Sequence, residues 1–367
     1  MDELELGWRT ALLLVIVVQL IVVALLLIGR KYERSANRLL AALLVIMAGI
    51  LTPQLIGFAG FYDAFPWLSF APFNNDLAIG PLIWCYAWAL TRGRLPDWTA
   101  LLFVPALADF VYHSYWVLQP IDARWSRIGA FHSTFYAPMR TALAITIMSG
   151  GLAGAAMLYR KHHAWIRNHS SAAQDFDPLW LPLFLIAFGF LLMVWLAFEI
   201  MDMLIGPISY VREYPFYVLV ALVIWAMAQT AMVRQRETYP KIMSTTSPEP
   251  EPPQRNWEFE ASRLRAQIVS ESWHLEPRLT APELARRIAT NETCLSRTIN
   301  RGAGANFNRF INEIRVEAVK SGLVSTSRDV LTLALENGFN SKATFNRVFR
   351  DIAGQTPAQY RATMTNR

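Results

Sequence analysis

The feature that most constrains this chain is a series of seven long apolar stretches in its first 236 residues. A helix needs about 20 predominantly apolar residues to cross a bilayer core of about 30 Å. The stretches lie near residues 10–29, 37–62, 76–91, 98–118, 138–159, 179–206 and 214–233. The first is the cleanest, because Gln19 is the only polar residue between Leu12 and Ile28. Residues 1–236 are therefore predicted to form a membrane domain of seven spans.

The basic residues of the connecting loops predict how these spans are oriented. Loops 30–38, 92–94 and 160–167 together hold nine Lys and Arg residues, and the intervening loops hold three. Cytoplasmic loops carry the excess of Lys and Arg. We therefore expect the N-terminus outside and everything after the seventh span in the cytoplasm. His162, His163 and His169 are expected in a solvated cytoplasmic loop rather than in a metal site.

Composition changes sharply after the seventh span. The whole chain is 54% hydrophobic and 17% charged, against about 25% charged residues in a soluble domain. Residues 255–367 hold 17 Lys and Arg against 11 Asp and Glu, which accounts for the entire net charge of +6. Five prolines between Pro240 and Asn256 favour an extended conformation. We predict a linker at 237–256 and a separate basic domain at 257–367.

Cap residues and apolar stripes divide this basic domain into short helices. The predicted N-caps are Thr280, Asn291, Asn306, Ser327 and Ser341, since such side chains accept hydrogen bonds from the free N–H groups of a first turn. Apolar inner faces are Leu295 with Ile299, and Phe345 with Val348, Phe349 and Ile352. These patterns predict helix-turn-helix units at about 280–301 and 327–353, joined by a helix that begins at Asn306. The expected fold class is all-α, a seven-helix transmembrane bundle plus a double helix-turn-helix domain.

The second unit carries a recognisable motif. The run Gly338-Phe339-Asn340-Ser341, followed by Phe345, Arg347, Phe349, Gly354, Thr356-Pro357 and Tyr360-Arg361, resembles the signature of the AraC/XylS family of bacterial transcription regulators. Leu284-Ala285, Leu295-Ser296-Arg297 and Arg315 with Ala318 are similar to the first half of the same domain. The resemblance covers residues 264–361. It implies seven helices and two recognition helices that enter successive major-groove turns about 34 Å apart.

The resemblance also implies DNA contacts. The base-reading positions fall on Thr293, Ser296, Arg297, Lys342, Ala343, Thr344 and Arg347. Arg297 and Arg347 have the strongest physical support, because a guanidinium bonds both major-groove acceptors of guanine. Thr293 and Ala343 are smaller than the family's usual residues. Phosphate contacts, which position a protein without specifying sequence, are expected from Arg286, Arg287, Arg301 and Arg350.

Ionisable residues within the spans are a second group of candidates, because charge inside a membrane is costly. They are Asp76, Asp109, His113, Arg140, Glu199 and Asp202, and the predicted topology places all six towards the external side. One interpretation is a pocket that binds a small ligand or responds to protonation of His113. The other is that these groups bond between helices for packing alone. Gly150 and Gly154 have the spacing of a close helix contact or a dimer interface.

Together these features predict a multi-pass regulator of the bacterial inner membrane that binds promoter DNA and needs no second protein to receive its signal. No catalytic motif is evident, so we expect neither an enzyme nor a bound cofactor or metal. The expected partners are double-stranded DNA, lipid, RNA polymerase, a small ligand or proton at the outer face, and a second copy of the chain. Two alternatives stay open: a transporter with an autoregulatory DNA-binding tail, and a regulator held at the membrane until proteolysis releases it.

Overall fold

The computed structural model describes residues 7–121, 131–171, 180–206, 209–234 and 256–365. Within these ranges, seven helices of more than one turn come before the predicted linker: α1 (Trp8–Ile28), α2 (Arg34–Phe58), α3 (Ile79–Arg92), α4 (Val104–Val117), α5 (Ala137–His169), α6 (Trp180–Ile205) and α7 (Tyr210–Arg234). Seven follow it: α8 (Trp257–Ser270), α9 (Ala281–Arg287), α10 (Glu292–Gly302), α11 (Phe307–Ser325), α12 (Val330–Glu336), α13 (Lys342–Ala353) and α14 (Pro357–Thr365). Apart from a single turn and short 3₁₀ and π segments, these are the helices of the described ranges. The all-α class is confirmed.

The chain divides into two compact units. The first contains Met1–Tyr159 and Pro178–Lys241, and the second contains Arg160–Asp177 and Ile242–Arg367. Most of the predicted linker, 237–256, lies outside the described residues. The second unit therefore includes a stretch, 160–177, that the sequence analysis assigned to the membrane domain.

The helices of the first unit show the surface expected of a protein in lipid. Within the described ranges, six helical segments are long and apolar enough to cross a membrane. Their outward faces are apolar: Val15 and Leu25 of α1 are 65% and 64% exposed, and Leu183 and Ile186 of α6 are each 69% exposed. A soluble protein rarely exposes apolar patches of this extent.

The third predicted span, 76–91, is helical over almost the expected bounds. α3 has 14 residues, which corresponds to about 21 Å at 1.5 Å per residue, and the three residues before it form a 3₁₀ turn. Gly93, with φ of +87°, ends the helix. Eleven of its residues are buried, so α3 packs in the interior of the first unit, and it is shorter than the six candidate spans. The count of seven spans is not confirmed.

The fifth helix is longer than predicted. α5 continues through the stretch expected to be a charged loop and ends at His169. His162 is fully buried and Ile166 is 2% exposed, so one side of this extension is packed inside the second unit. The expectation of a solvated loop at 160–167 is therefore wrong.

The second unit has two hydrophobic cores that share α11. The first core contains Leu284, Leu295 and Ile299, and it packs against Phe310 and Ile314 of α11. The second core contains Phe339, Phe345 and Phe349, and it packs against Val316 and Val319 of α11. α11 thus connects two small helical bodies, each of which buries its apolar face against it.

Candidate nucleic-acid interface and membrane cluster

The first helix-turn-helix consists of α9, a turn and α10. The Asn291 side chain accepts a hydrogen bond from the Cys294 N–H at 2.8 Å, which confirms this residue as the N-cap of α10. Leu295 and Ile299 are each 1% exposed, as their i, i+4 spacing predicts. Thr280 occupies the N-cap position of α9, but its side chain makes no capping hydrogen bond.

The second helix-turn-helix consists of α12, a turn and α13. The helix α12 is capped by Asp329, whose carboxylate accepts from the N–H groups of Leu331 and Thr332, so the prediction of Ser327 as the cap was wrong. Gly338 in the turn has φ of +83°. Ser341 caps α13 as predicted, and it accepts from the Thr344 N–H at 3.2 Å.

The predicted base-reading side chains of α13 project away from the core. Lys342, Ala343 and Arg347 are exposed, and Thr344 is half-buried beside the Ser341 cap. In α10, Thr293, Ser296 and Arg297 are half-buried. The aromatic rings of Phe345 and Phe349 lie behind α13 in an edge-to-face pair with centroids 5.5 Å apart. The N-cap and the packed aromatic rings hold α13 in place, so the positions of its outer side chains relative to the domain are fixed.

The predicted phosphate-binding arginines differ in how they are held. Arg286, Arg301 and Arg350 are exposed. Arg287 instead donates to both carboxylate oxygens of Glu276, at 2.7 and 2.8 Å, and to Glu283 at 2.8 Å. The hydrogen bonds from Glu276 raise the pKa of this guanidinium above its ordinary value. A DNA phosphate would therefore compete with two carboxylates for Arg287, and the other three are better placed for the role.

Arg315 of α11 is the largest fully buried side chain of the second unit, at 2% exposure. Its Nε donates to the carbonyl oxygen of His274 at 2.8 Å, and its Nη2 donates to that of Glu276 at 2.6 Å. The guanidinium also lies over the ring of Phe339 in the second core, 5.9 Å from its centroid. Arg315 thus joins the loop after α8 to the second helix-turn-helix unit. In the sequence, this residue stands out only through the family resemblance, and no local pattern predicts its structural role.

In the first unit, four of the six ionisable residues predicted to share a pocket come together. Arg140 donates from Nη2 to Asp76 Oδ1 at 2.6 Å and from Nε to Asp109 Oδ1 at 2.8 Å. The Asp109 carboxylate also accepts from the hydroxyl of Tyr136. His113 lies one turn from Asp109, with its Nδ1 3.6 Å from the carboxylate. We call these residues the Arg140 cluster.

The other two predicted pocket residues lie in the last turns of α6. Glu199 is half-buried and Asp202 is exposed. A cavity of about 90 Å³ lies beside Asp76. Its walls are mainly apolar and include Met47, Phe188 and Trp195. Among the described residues, no group of three or more His, Cys, Asp or Glu side chains is arranged to hold a metal ion.

Comparison with known proteins identifies the domain to which this geometry belongs. Residues 284–363 match the model of a helix-turn-helix domain family. An uncharacterised HTH-type transcriptional regulator of Staphylococcus aureus (strain COL) is 36% identical over 88 residues, which are 24% of this chain and 12% of that protein. The HTH-type regulator YtdP of Bacillus subtilis (strain 168) is 31% identical over 86 residues, which are 23% of this chain and 11% of that protein. This chain thus spans about an eighth of the length of these relatives.

Two solved structures are also similar over 28% of the chain. One is the C-terminal domain of AraT, a response regulator from Geobacillus stearothermophilus, with 27% identity, 84% of that chain covered and a TM-score of 0.26. The other is a Listeria innocua protein of unknown function, with 24% identity, 94% of that chain covered and a TM-score of 0.25. The family match and the HTH-type relatives together show that residues 284–363 form a helix-turn-helix DNA-binding domain like those of HTH-type transcriptional regulators.

Proposed function

We propose that this chain is a bacterial membrane protein that regulates transcription, in which the helical N-terminal unit controls promoter binding by the cytoplasmic C-terminal domain. The observation that carries this proposal is α13, a capped helix over an aromatic core, which presents exposed Lys342, Ala343 and Arg347 within a domain of the HTH regulator type. α10 supplies the second reading surface. The function is regulated binding, with no covalent step, and RNA polymerase and a second copy of the chain are the expected protein partners.

The first unit supports the membrane part of this proposal. Its helices present apolar side chains outwards, and the loops with the larger number of Lys and Arg residues lie on the same side as the C-terminal domain in the proposed topology. In that topology the N-terminus is outside, and the DNA-binding domain lies in the cytoplasm, where its substrate is.

The Arg140 cluster supports a sensory role for the first unit. Two carboxylates and one guanidinium leave a formal charge of −1, and the imidazole of His113 lies beside them. The adjoining apolar cavity ends at Asp76. A proton or a small ligand that binds here regulates the protein only if it binds one conformation more tightly than another. Asp109→Asn and His113→Ala are therefore expected to change the response to signal while DNA contacts stay intact.

The direct test is DNA affinity of the full-length protein in lipid nanodiscs, measured with a duplex enriched from a random library. Arg347→Ala should weaken binding to that duplex by roughly 5- to 140-fold, since a bidentate arginine–guanine pair is worth about 1–3 kcal/mol. Binding to unrelated DNA should change much less, because phosphate contacts remain. Arg263→Ala, at a 68% exposed arginine of α8, is the matched control and should leave affinity unchanged. Equal affinity for Arg347→Ala and Arg263→Ala would argue against base reading by α13.

A further inference from the structure

A segment from outside the DNA-binding domain packs against that domain within the second unit. It consists of the last turns of α5 and the two residues that follow, Arg160–Ser171, and we call it the docked segment. Ser170 forms an isolated antiparallel bridge with Thr280, at the start of the first helix-turn-helix. The Ser171 N–H donates to the Leu279 carbonyl oxygen at 3.0 Å. The docked segment thus makes backbone contacts of the kind found inside domains.

Side chains of α11 complete this contact. The amide of Asn308 donates to the carbonyl oxygens of Ser170 and Ser171, at 3.0 and 2.8 Å. Arg315 Nη2 donates to the hydroxyl of Ser171 at 3.2 Å. Ser170 and Ser171 are 1% and 2% exposed, so the contact excludes water. Asn308 and Arg315 are seven residues apart and share one face of α11, which forms the docking surface.

The docked segment also lies beside both recognition helices. His169 Nε2 is 3.9 Å from the carboxylate of Glu292, the first residue of α10. His163 and Arg167 line a cavity of about 300 Å³ together with Arg347 and Asp351 of α13. The segment therefore reaches from the start of one recognition helix to the base-reading arginine of the other.

We propose that the docked segment is an autoinhibitory contact, which must move away before the domain binds DNA. This inference rests on the proposed DNA-binding function. A major groove is about 12 Å wide and a helix with its side chains is about 10–12 Å across, so a recognition helix fills the groove alone. A second helix that lines the same cavity as Arg347 occupies space that the walls of the groove need. Docking and DNA binding then compete for the same face.

The charges of the docked segment favour such a switch over a permanent contact. His163 and Arg167 share their cavity with Arg309 and Arg347, and Asp351 is the one acidic side chain of its lining. Arg167, Arg309 and Arg347 carry the same charge and weaken docking by repulsion, while DNA attracts all three. The hydrogen bonds of Asn308 and Ser171 hold the segment against this repulsion.

The position of the segment in the chain indicates what releases it. α5 is a continuous helix, and it also carries Arg140, the residue that pairs with Asp76 and Asp109 in the first unit. A change at the Arg140 cluster that moves α5 therefore acts on the docked residues through the helix itself. This route does not depend on the proline-rich linker.

Two opposite perturbations test the proposal in the full-length protein in nanodiscs. Ser171→Pro removes the N–H that bonds to Leu279 and the hydroxyl that accepts from Arg315, and it changes no residue of the DNA-binding domain. Asn308→Ala removes the two hydrogen bonds that the Asn308 amide donates to the carbonyl oxygens of Ser170 and Ser171. Each should bind DNA about tenfold more tightly than the natural protein, the factor that one or two hydrogen bonds supply. The probe is a duplex enriched from a random library with the Ser171→Pro variant.

The opposite perturbation locks the segment in place. Residues paired across an antiparallel bridge have Cα atoms about 4.5–5.5 Å apart, within the range that a disulfide spans. In the Ser170→Cys/Thr280→Cys variant, oxidation should lower DNA affinity at least about tenfold, and reduction should restore it. The Thr280 side chain makes no capping hydrogen bond, so its replacement by cysteine removes no such bond from α9. Oxidised Ser170→Cys alone is the control and should bind like the natural protein.

The outcomes separate this inference from the function on which it rests. Tighter binding after release, with weaker binding under the lock, supports autoinhibition. If all forms bind the duplex equally, or the locked form binds better, the domain binds DNA but the docked segment does not inhibit it, and the inference is wrong. If neither the natural protein nor any released variant enriches a duplex, the proposed function fails, and the inference fails with it.

Discussion

Replacing Arg315 by methionine should destabilise the DNA-binding domain more than any other single loss of charge. Arg315 donates two short hydrogen bonds to the carbonyl oxygens of His274 and Glu276, and the substitution leaves both acceptors buried without that donor. Hydrogen bonds from a charged group are worth about 1.5–3 kcal/mol each, or about 3–6 kcal/mol for two. Removing a buried charge recovers part of this, because desolvation of an ion costs several kcal/mol. We expect a net loss of about 3 kcal/mol.

The assay is urea unfolding of the second unit in the full-length protein, followed by brief proteolysis that cuts only the unfolded domain. With a denaturant slope of about 2 kcal/mol per molar, a loss of about 3 kcal/mol lowers the midpoint by about 1.5 M. Arg309→Met, on the same helix, is the matched control. Its side chain is 55% exposed and ion-paired only with Glu313 in the described contacts, so the midpoint should move by less than about 0.3 M. Similar midpoints for the two variants would refute the role of Arg315 as the link between the loop after α8 and the second helix-turn-helix unit.

Three further predictions follow from the packing and the charges. A Cβ at Gly338 would lie 2.5 Å from the His274 carbonyl oxygen, so Gly338→Ala should destabilise the second unit by at least about 2 kcal/mol in the same assay, whereas Gly304→Ala, also at positive φ but in open space, should cost clearly less. Burial lowers the pKa of His274 below its ordinary value of 6.5, so the unfolded chain takes up a proton at a higher pH than the folded chain does. The stability that this group contributes is therefore complete above about pH 6.5 and is lost as the pH falls below it. Between pH 7.5 and pH 5.5, the urea midpoint of the natural protein should fall by more than that of His274→Gln. In the first unit, Gly151→Val should lower the yield and the melting temperature of the purified protein, because a Cβ at Gly151 would lie 2.3 Å from the Gly80 backbone. Gly150→Val is the control and should change neither, because a Cβ there has no heavy atom within 4 Å. Equal effects of the two substitutions would contradict this helix contact.

The helices of the DNA-binding domain were predictable because their signals are local. Asn291, Asn306 and Ser341 each cap a helix by bonding to an N–H three residues later, a pattern visible in sequence. Ser327 was the wrong choice for α12 because Asp329, two residues on, offers a carboxylate that accepts from two N–H groups. Both residue types are good caps, and only the geometry decides between them.

The missed features depend on partners that are distant in the chain. Arg315 bonds to carbonyl groups about 40 residues away, and sequence periodicity gives no sign that a charged side chain on α11 is buried. The end of α5 looks like a charged loop because its basic residues dominate the composition of 160–169. The i, i+4 pair His162 and Ile166, both buried, was the available sign that the helix continues.

The first unit was predictable in outline and not in detail. Apolar length identified the helices and the end of α3 near residue 91, but it did not show that eleven residues of α3 are buried. The pairing of Asp76 and Asp109 with Arg140 followed from the proposed topology only as a shared side of the membrane. The hydrogen bonds among them depend on how α3, α4 and α5 pack, which no local pattern specifies.

The measurement that tests the central claim most directly is genome-wide DNA occupancy of the full-length protein in its own membrane, compared with an Arg297→Ala/Arg347→Ala variant at matched abundance. We predict discrete sites in the natural protein that share a sequence with two half-sites one helical turn apart, and their loss in the double variant. Identical occupancy in the two proteins would contradict a membrane-embedded regulator that reads DNA through α10 and α13. The same conclusion would follow if the natural protein and the Ser171→Pro variant were both intact and neither occupied any site.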